Sequence, residues 1–318
     1  MRRLAALLAL VASGAPARAD KNDLVLSRLG RPNSAGTDVV PYNQDFRSLV
    51  SELGVVIAPK FLSPADSLGY SGFQFSADFA WTSIDNDARY WCATEESSGC
   101  GGGGKGSGQM QTLSLFARKG LWLPVPSFEF GAGALHLFDS TMWAGQIYGK
   151  FALHEGFHDW PIPSVAARGA ASRLFGSEQL DLTVASLDIS VSKSIGVQGT
   201  VSLEPYVGWN YLWIIPRSEV IDKTPNIDAF GDANDLRNNF VFADQDNITR
   251  QRFFGGIKAK YYVFAITGEF NFALSGSSKD DRPSNTPCDN TGDDEGLCDA
   301  TDQASSQTTI AVSLSLDF

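Results

Sequence analysis

The sequence predicts an all-β fold, an antiparallel up-and-down transmembrane β-barrel of twelve strands. Three observations lead there. The chain ends on Ile310, Val312, Leu314, Leu316 and Phe318, with Ala311, Ser313, Ser315 and Asp317 between them, the two-residue period of a strand with one apolar face. Segments of the same period recur along the chain, and no run of about 18 apolar residues offers a spanning helix. A slightly negative mean hydropathy and 31 glycines fit a wall whose polar face dilutes its apolar one.

The final strand resembles the C-terminal strand of outer-membrane β-barrel proteins, in which an assembly machinery reads a terminal aromatic and the apolar residues alternating before it. Leu314, Leu316 and Phe318 carry the match, and Ser313 stands where a small glycine is often found. The resemblance covers the general architecture and no specific subfamily. It implies the outer membrane of a Gram-negative bacterium, with outer-membrane lipids and the barrel assembly machinery as partners.

Residues 1–19 read as a cleaved secretory signal. Arg2 and Arg3 precede the apolar run from Leu4 to Ala12, and Ala17 and Ala19 supply small residues before Asp20. The remaining 20–318 form one barrel domain.

Alternating segments lie near 49–58, 69–81, 111–119, 127–137, 143–154, 162–175, 180–193, 196–213, 250–261, 263–275 and 308–318. Long connections fall near 83–108, 216–248 and 276–307. Placing all three outside the cell sends the last strand inward, and an even strand number then asks for one more outward strand. Residues 23–30 are the candidate, with a plug or periplasmic tail as the alternative. Trp81, Trp143, Trp213 and Phe253 then fall at outer strand ends, and Trp122, Trp160, Tyr261 and Phe318 at inner ends, as interfacial aromatics should.

Side chains alternating with the apolar ones must face the lumen. This assigns Glu52, Asp78, Glu129, Lys150, Arg168, Glu204, Lys258, Lys260 and Glu269 to the interior, a mixture of signs that fits a narrow pore or one filled by its own side chains. Two strands resist the pattern. The apolar phase switches near Ala185, which reads as a bulge, and Pro205 removes a ladder donor, which reads as a bulge or local opening.

The formal net charge is −11, and most of the acidity sits in the three long loops. Such a surface excludes nucleic acid as a partner. The four cysteines lie in loops, Cys92 and Cys100 in the first and Cys288 and Cys298 in the last. In an oxidising compartment two intraloop disulfides are the simple expectation, with cross-loop pairing as the alternative. Asp289, Asp293, Asp294, Glu295 and Asp299 have oxygen chemistry that calcium accepts but not the EF-hand spacing; no metal and no cofactor is expected.

Catalytic residues are not evident. His136 lies near Asp139 and Ser140 at an outer strand end, and His154, Glu155, His158 and Asp159 cluster in an inner turn. An interfacial histidine and a polar turn are the simpler readings. The expected function is therefore a narrow passive channel for small solutes, not an enzyme. The alternatives are a structural or docking component of an envelope complex and, third, an outer-leaflet hydrolase centred on His136.

Overall fold

The computed structural model describes residues 20–32, 39–101, 104–122, 127–155, 162–197, 200–223, 239–279 and 300–318. The signal segment, Cys288, Cys298, the candidate calcium carboxylates, His158, Asp159 and Trp160 lie outside these residues.

Ten strands form the wall: β1 Phe73–Ser83, β2 Gln109–Leu121, β3 Phe128–Leu137, β4 Trp143–His154, β5 Ser164–Phe175, β6 Leu180–Ser192, β7 Val201–Ser218, β8 Ile248–Tyr261, β9 Phe264–Ala273 and β10 Gln307–Asp317. Each pairs antiparallel with its neighbours in chain order. The sheet closes where β10 meets β1, in a register running from Thr309↔Thr82 to Asp317↔Gln74. Closure leaves no wall strand with an unpaired edge. The three long connections all lie at one end, and Phe318 lies at the other, exchanging backbone hydrogen bonds with Phe73.

All ten segments are legible as strands in the sequence, but the expected twelve become ten. The missing two are the first ones. Residues 49–58 belong to a helix, α1 (Asn43–Ile57), because Phe46, Leu49, Val50, Leu53, Val56 and Ile57 recur at helical spacing and Pro59 stops the run. Residues 23–30 are not a wall strand either. They hold a short 3₁₀ turn, Leu26–Leu29, and touch the first long loop through an isolated bridge between Leu24 and Thr94.

α1 sits inside the barrel, and residues 23–30 cover its long-loop end, held by Thr94, Gln179 and Lys223 of the loops, which is nearer to the plug alternative than to a strand or a periplasmic tail. Asn22 and Asp23 bond to residues 138–141 at the long-loop end. From there the chain passes through α1 and an extended strap, 58–68, to the short-turn end, where β1 begins. The long-loop half of the lumen is a hydrophobic core: α1 packs with Leu135, Leu137, Leu182, Val184, Leu212 and Ile214 from the wall and with Tyr90 and Trp91 from the first long loop.

This filling explains the phase switch on β6. Leu180, Leu182 and Val184 face inward in the same register as Ser186, Asp188 and Ser190, and pairing with both neighbours runs through Ala185 without a shift. There is no bulge. The inner face is apolar where it meets α1 and polar below it. Around Pro205 the expected opening takes a specific form: β6 pairs with β7 up to Ser192↔Tyr206, then the short strand Ile195–Val197 takes over at Leu203. The proline falls at that break, where a missing donor costs least. A register shift does occur in β4, between Ala152 and His154.

The outer surface is apolar. Phe75, Leu115, Ile147, Val207, Phe264, Phe270 and Leu314 are exposed on it. No described helix is long and apolar enough to cross a membrane.

Candidate functional site: the occupied lumen

An extended strap inside a barrel has no ladder of its own, so its backbone groups must find partners on the wall. They do so residue by residue. The carbonyl of Ile57 accepts from Gln146 (2.8 Å), that of Pro59 from Arg252 (2.9 Å), that of Lys60 from Arg168 (2.9 Å) and that of Leu62 from Arg118 (3.1 Å). Lys150 reaches the carbonyls of Pro64 (3.2 Å) and Asp66 (2.9 Å). In the other direction the N–H groups of Phe61 and Leu62 donate to Glu269 (3.2 and 2.6 Å), that of Ala65 to Ser192 (2.9 Å) and that of Leu68 to Glu129 (3.2 Å).

The wall holds these side chains ready by pairing them with one another. Lys150 lies 3.1 Å from Glu129 and Arg168 lies 2.9 Å from Asp188. Tyr206 donates to Glu269 and Tyr148 to Glu129. Arg168 also covers the ring of Phe61 at 4.4 Å. Burying charge is tolerable only with such partners, and here one network serves both the ions and the strap, leaving Asp78 Oδ1, Arg118 Nε, Arg168 Nη2 and Arg252 Nη1 without a hydrogen bond.

Of the nine residues assigned to the lumen, Glu129, Lys150, Arg168 and Glu269 are buried and bind the strap directly. Asp78 is buried 3.9 Å from Arg118, and Lys258 is buried 2.6 Å from Asp317. Lys260 and Glu204 are half-buried near the short-turn end; Lys260 lies 3.5 Å from Asp317, and Ser202 donates to Glu204. Glu52 is also interior, but it belongs to α1 and not to the wall. Its carboxylate accepts from the Tyr90 hydroxyl (2.7 Å), the Trp91 indole (2.7 Å) and the backbone of Asp85 and Ser305, locking α1 to two long loops. Burial raises its carboxyl above the ordinary range, against the pull of these donors.

Arg118, Asp188, Arg250 and Arg252 are interior residues that sequence reasoning missed. Asp188 follows from the outward-facing Leu187 and Ile189 on either side of it. Arg118, Arg250 and Arg252 were available from parity alone: Arg118 shares the inward parity of Thr112 and Ser114, and Arg250 and Arg252 share one parity on their strand. The stronger missed signal is that inward positions near the long-loop end are apolar, which a water-filled pore does not call for.

Two voids border the strap. One of about 10 Å³ lies beside Ala58, Lys60 and Leu62, scarcely the space of one water. Another of about 150 Å³ lies at the short-turn end between Asp66, Glu204, Lys258 and Lys260.

The other candidate residues are engaged elsewhere. The rings of His136 and Trp143 are 4.3 Å apart, and Phe138 flanks the histidine at 5.8 Å. The neighbouring Ser140 hydroxyl donates to Asp23. Glu155 accepts from Ser67 and Ser127 and so fixes the strap where it leaves the lumen. Cys92 and Cys100 form a disulfide beside Arg28, which binds the carbonyls of Cys92, Thr94 and Ser97. No metal-sized cluster of His, Cys, Asp and Glu occurs among the described residues.

No protein-family model matches the chain, and no curated protein matches it in sequence. Solved structures that resemble it include Ail, the attachment invasion locus protein of Yersinia pestis, at 10% identity and a TM-score of 0.27, over 78% of this chain and 99% of that one. Neisserial surface protein A matches at 9% identity and a TM-score of 0.31, over 78% and 96%. OmpT of Vibrio cholerae matches at 7% identity and a TM-score of 0.28, over 66% and 57%. Likeness at this level carries no argument about function. The closed barrel stands on its own strand pairing.

Proposed function

We propose that this chain is an outer-membrane β-barrel that works with its lumen occupied, as a non-catalytic component holding acidic surface loops in a fixed arrangement for docking within the cell envelope. The observation that carries this reading is the strap, whose carbonyl and amide groups from Ile57 to Leu68 are taken up by side chains of seven different wall strands. An exposed apolar exterior supports a membrane setting. The alternating Leu314, Leu316 and Phe318 support delivery by the barrel assembly machinery, and 1–19 supports export.

The passive channel expected from the sequence needs a continuous aqueous path, and the occupied lumen favours the docking reading over it. The locking of α1 to the first and last long loops through Glu52 gives the filled interior a purpose: it sets the position of the surface that partners meet.

Planar-bilayer recording from the purified full chain is the test. It should insert without a steady conductance, while crosslinkers placed at the exposed loop positions Val220 and Val241 should capture an envelope protein in cells. A stable open conductance of the unaltered chain would overturn the reading.

A further inference from the structure

Along the ten wall strands, outward-facing positions are almost free of charge. The exceptions are Lys119, near the short-turn end of β2, and a group of three at the long-loop end: Arg173 on β5, Asp181 on β6 and Arg217 on β7. These three strands are adjacent, and Arg217 is paired in register with Asp181. Arg173 lies 2.8 Å from Asp181. Arg217 has no partner among the described residues. Both guanidiniums are exposed.

Their depth is set by the aromatics that flank them. Trp209, Tyr211 and Trp213 form a contiguous ladder on the outer face of β7, with ring separations of 6.0 and 4.7 Å, and Trp143 and Phe175 stand exposed nearby. Aromatic side chains of this kind settle at the membrane interface. Arg217 follows Trp213 by four residues, about 13 Å farther along the strand, which places it among lipid headgroups and not among acyl chains. Charge facing hydrocarbon is costly, and charge facing headgroups is not. Asp181 pairs with Arg173, so these three strand residues together carry a net positive charge and Arg217 keeps its donors unused among the described residues. The flanking turns add Glu178 and Glu219, both beyond the strand ends.

We propose that Arg173 and Arg217, spaced by Asp181, form a site for the phosphate group of a lipid in the leaflet at the long-loop end, whose acyl chains lie on Trp213 and Ile215. Planar guanidiniums grip phosphate through paired charge-assisted hydrogen bonds. The site lies on the outer wall and owes nothing to the strap, but it rests on the membrane reading above.

Native mass spectrometry of the detergent-purified full chain tests it, with phosphatidic acid as the phosphate-bearing probe and phosphatidylcholine as the comparison. Wild type should retain phosphatidic acid preferentially, and Arg173→Gln/Arg217→Gln should weaken that retention by about tenfold or more, the loss of one or two charge-assisted hydrogen bonds. Lys119→Gln, at the other rim, should change nothing. Equal binding by wild type and the double variant, or an equal loss in Lys119→Gln, would overturn the proposal. Displacement of the lipid by millimolar inorganic phosphate would overturn it in favour of a free-anion site. The membrane reading fails separately: it falls if the chain stays monomeric in buffer without detergent, before any lipid is added.

Discussion

Glu269 on the barrel wall accepts the backbone N–H of Leu62 at 2.6 Å, deep inside a lumen that a channel would leave open. Its other oxygen takes the N–H of Phe61, so one wall carboxylate holds two consecutive residues of the strap. Replacing Glu269 by Ala orphans both amides as well as the Tyr206 hydroxyl, and stability should fall by about 2–4 kcal/mol. Glu269→Gln keeps an acceptor and should lose less. Denaturant titration of the two variants in detergent gives the comparison; equal losses would show that the carboxylate is not organising the strap.

The helix meets the wall at Gly54. A β-carbon there would lie 2.6 Å from Ile214 Cδ1, closer than packed atoms can sit, and the neighbouring side chain belongs to a crowded core. Gly54→Val should therefore push α1 off β7 and cost about 1–3 kcal/mol. Thermal unfolding followed by near-UV circular dichroism reads the loss, and an unchanged midpoint would contradict the packing.

Asp45, in the first turn of α1, supplies a pH signature. Burial pushes its carboxyl up to about 6, only partly opposed by the charge of Arg31. Arg89 lies 3.5 Å away, yet the facing oxygen has no hydrogen bond. A raised folded-state value means that the folded chain holds the proton more tightly, so this group's contribution is greatest below the ordinary value of 3.8 and is lost as pH rises toward 6. The amount lost is about 2–3 kcal/mol. Asp45→Asn should be more stable than wild type at pH 8, with the difference vanishing near pH 3.5. A constant difference across that range would refute the assignment.

The Cys92–Cys100 bridge closes a short loop against Arg28 and the N-terminal segment. In the chain-entropy account a loop of this length is worth about 2–3 kcal/mol. Cys92→Ser/Cys100→Ser should lower the unfolding midpoint accordingly, and a reductant should lower the midpoint of wild type by more than that of the variant.

Sequence periodicity located all ten wall strands because a two-residue period at a lipid-facing surface is forced by geometry: every second side chain meets the apolar side. The same logic placed Glu129, Lys150, Arg168 and Glu269 in the interior. It failed at 49–58, where an apolar run with helical spacing was taken for a strand, and at Ala185, where a change in what the inner face touches was taken for a bulge. Inward-facing Leu182, Val184, Leu212 and Ile214 were the trace of α1, visible only once the wall had been assembled around it.

By itself, the sequence determined the wall: strand number within two, the inward and outward faces of the strands other than β6, and the loop-bearing end, all of which follow from local alternation and chain order; Cys92–Cys100 is the simpler of the pairings it left open. Only the tertiary structure decided that the lumen is occupied and by which segment. The strap's partners, Gln146, Arg168, Glu269 and the rest, lie about 60 to 210 residues from it in the chain, and no local period records a backbone carbonyl satisfied by a side chain brought across a closed barrel.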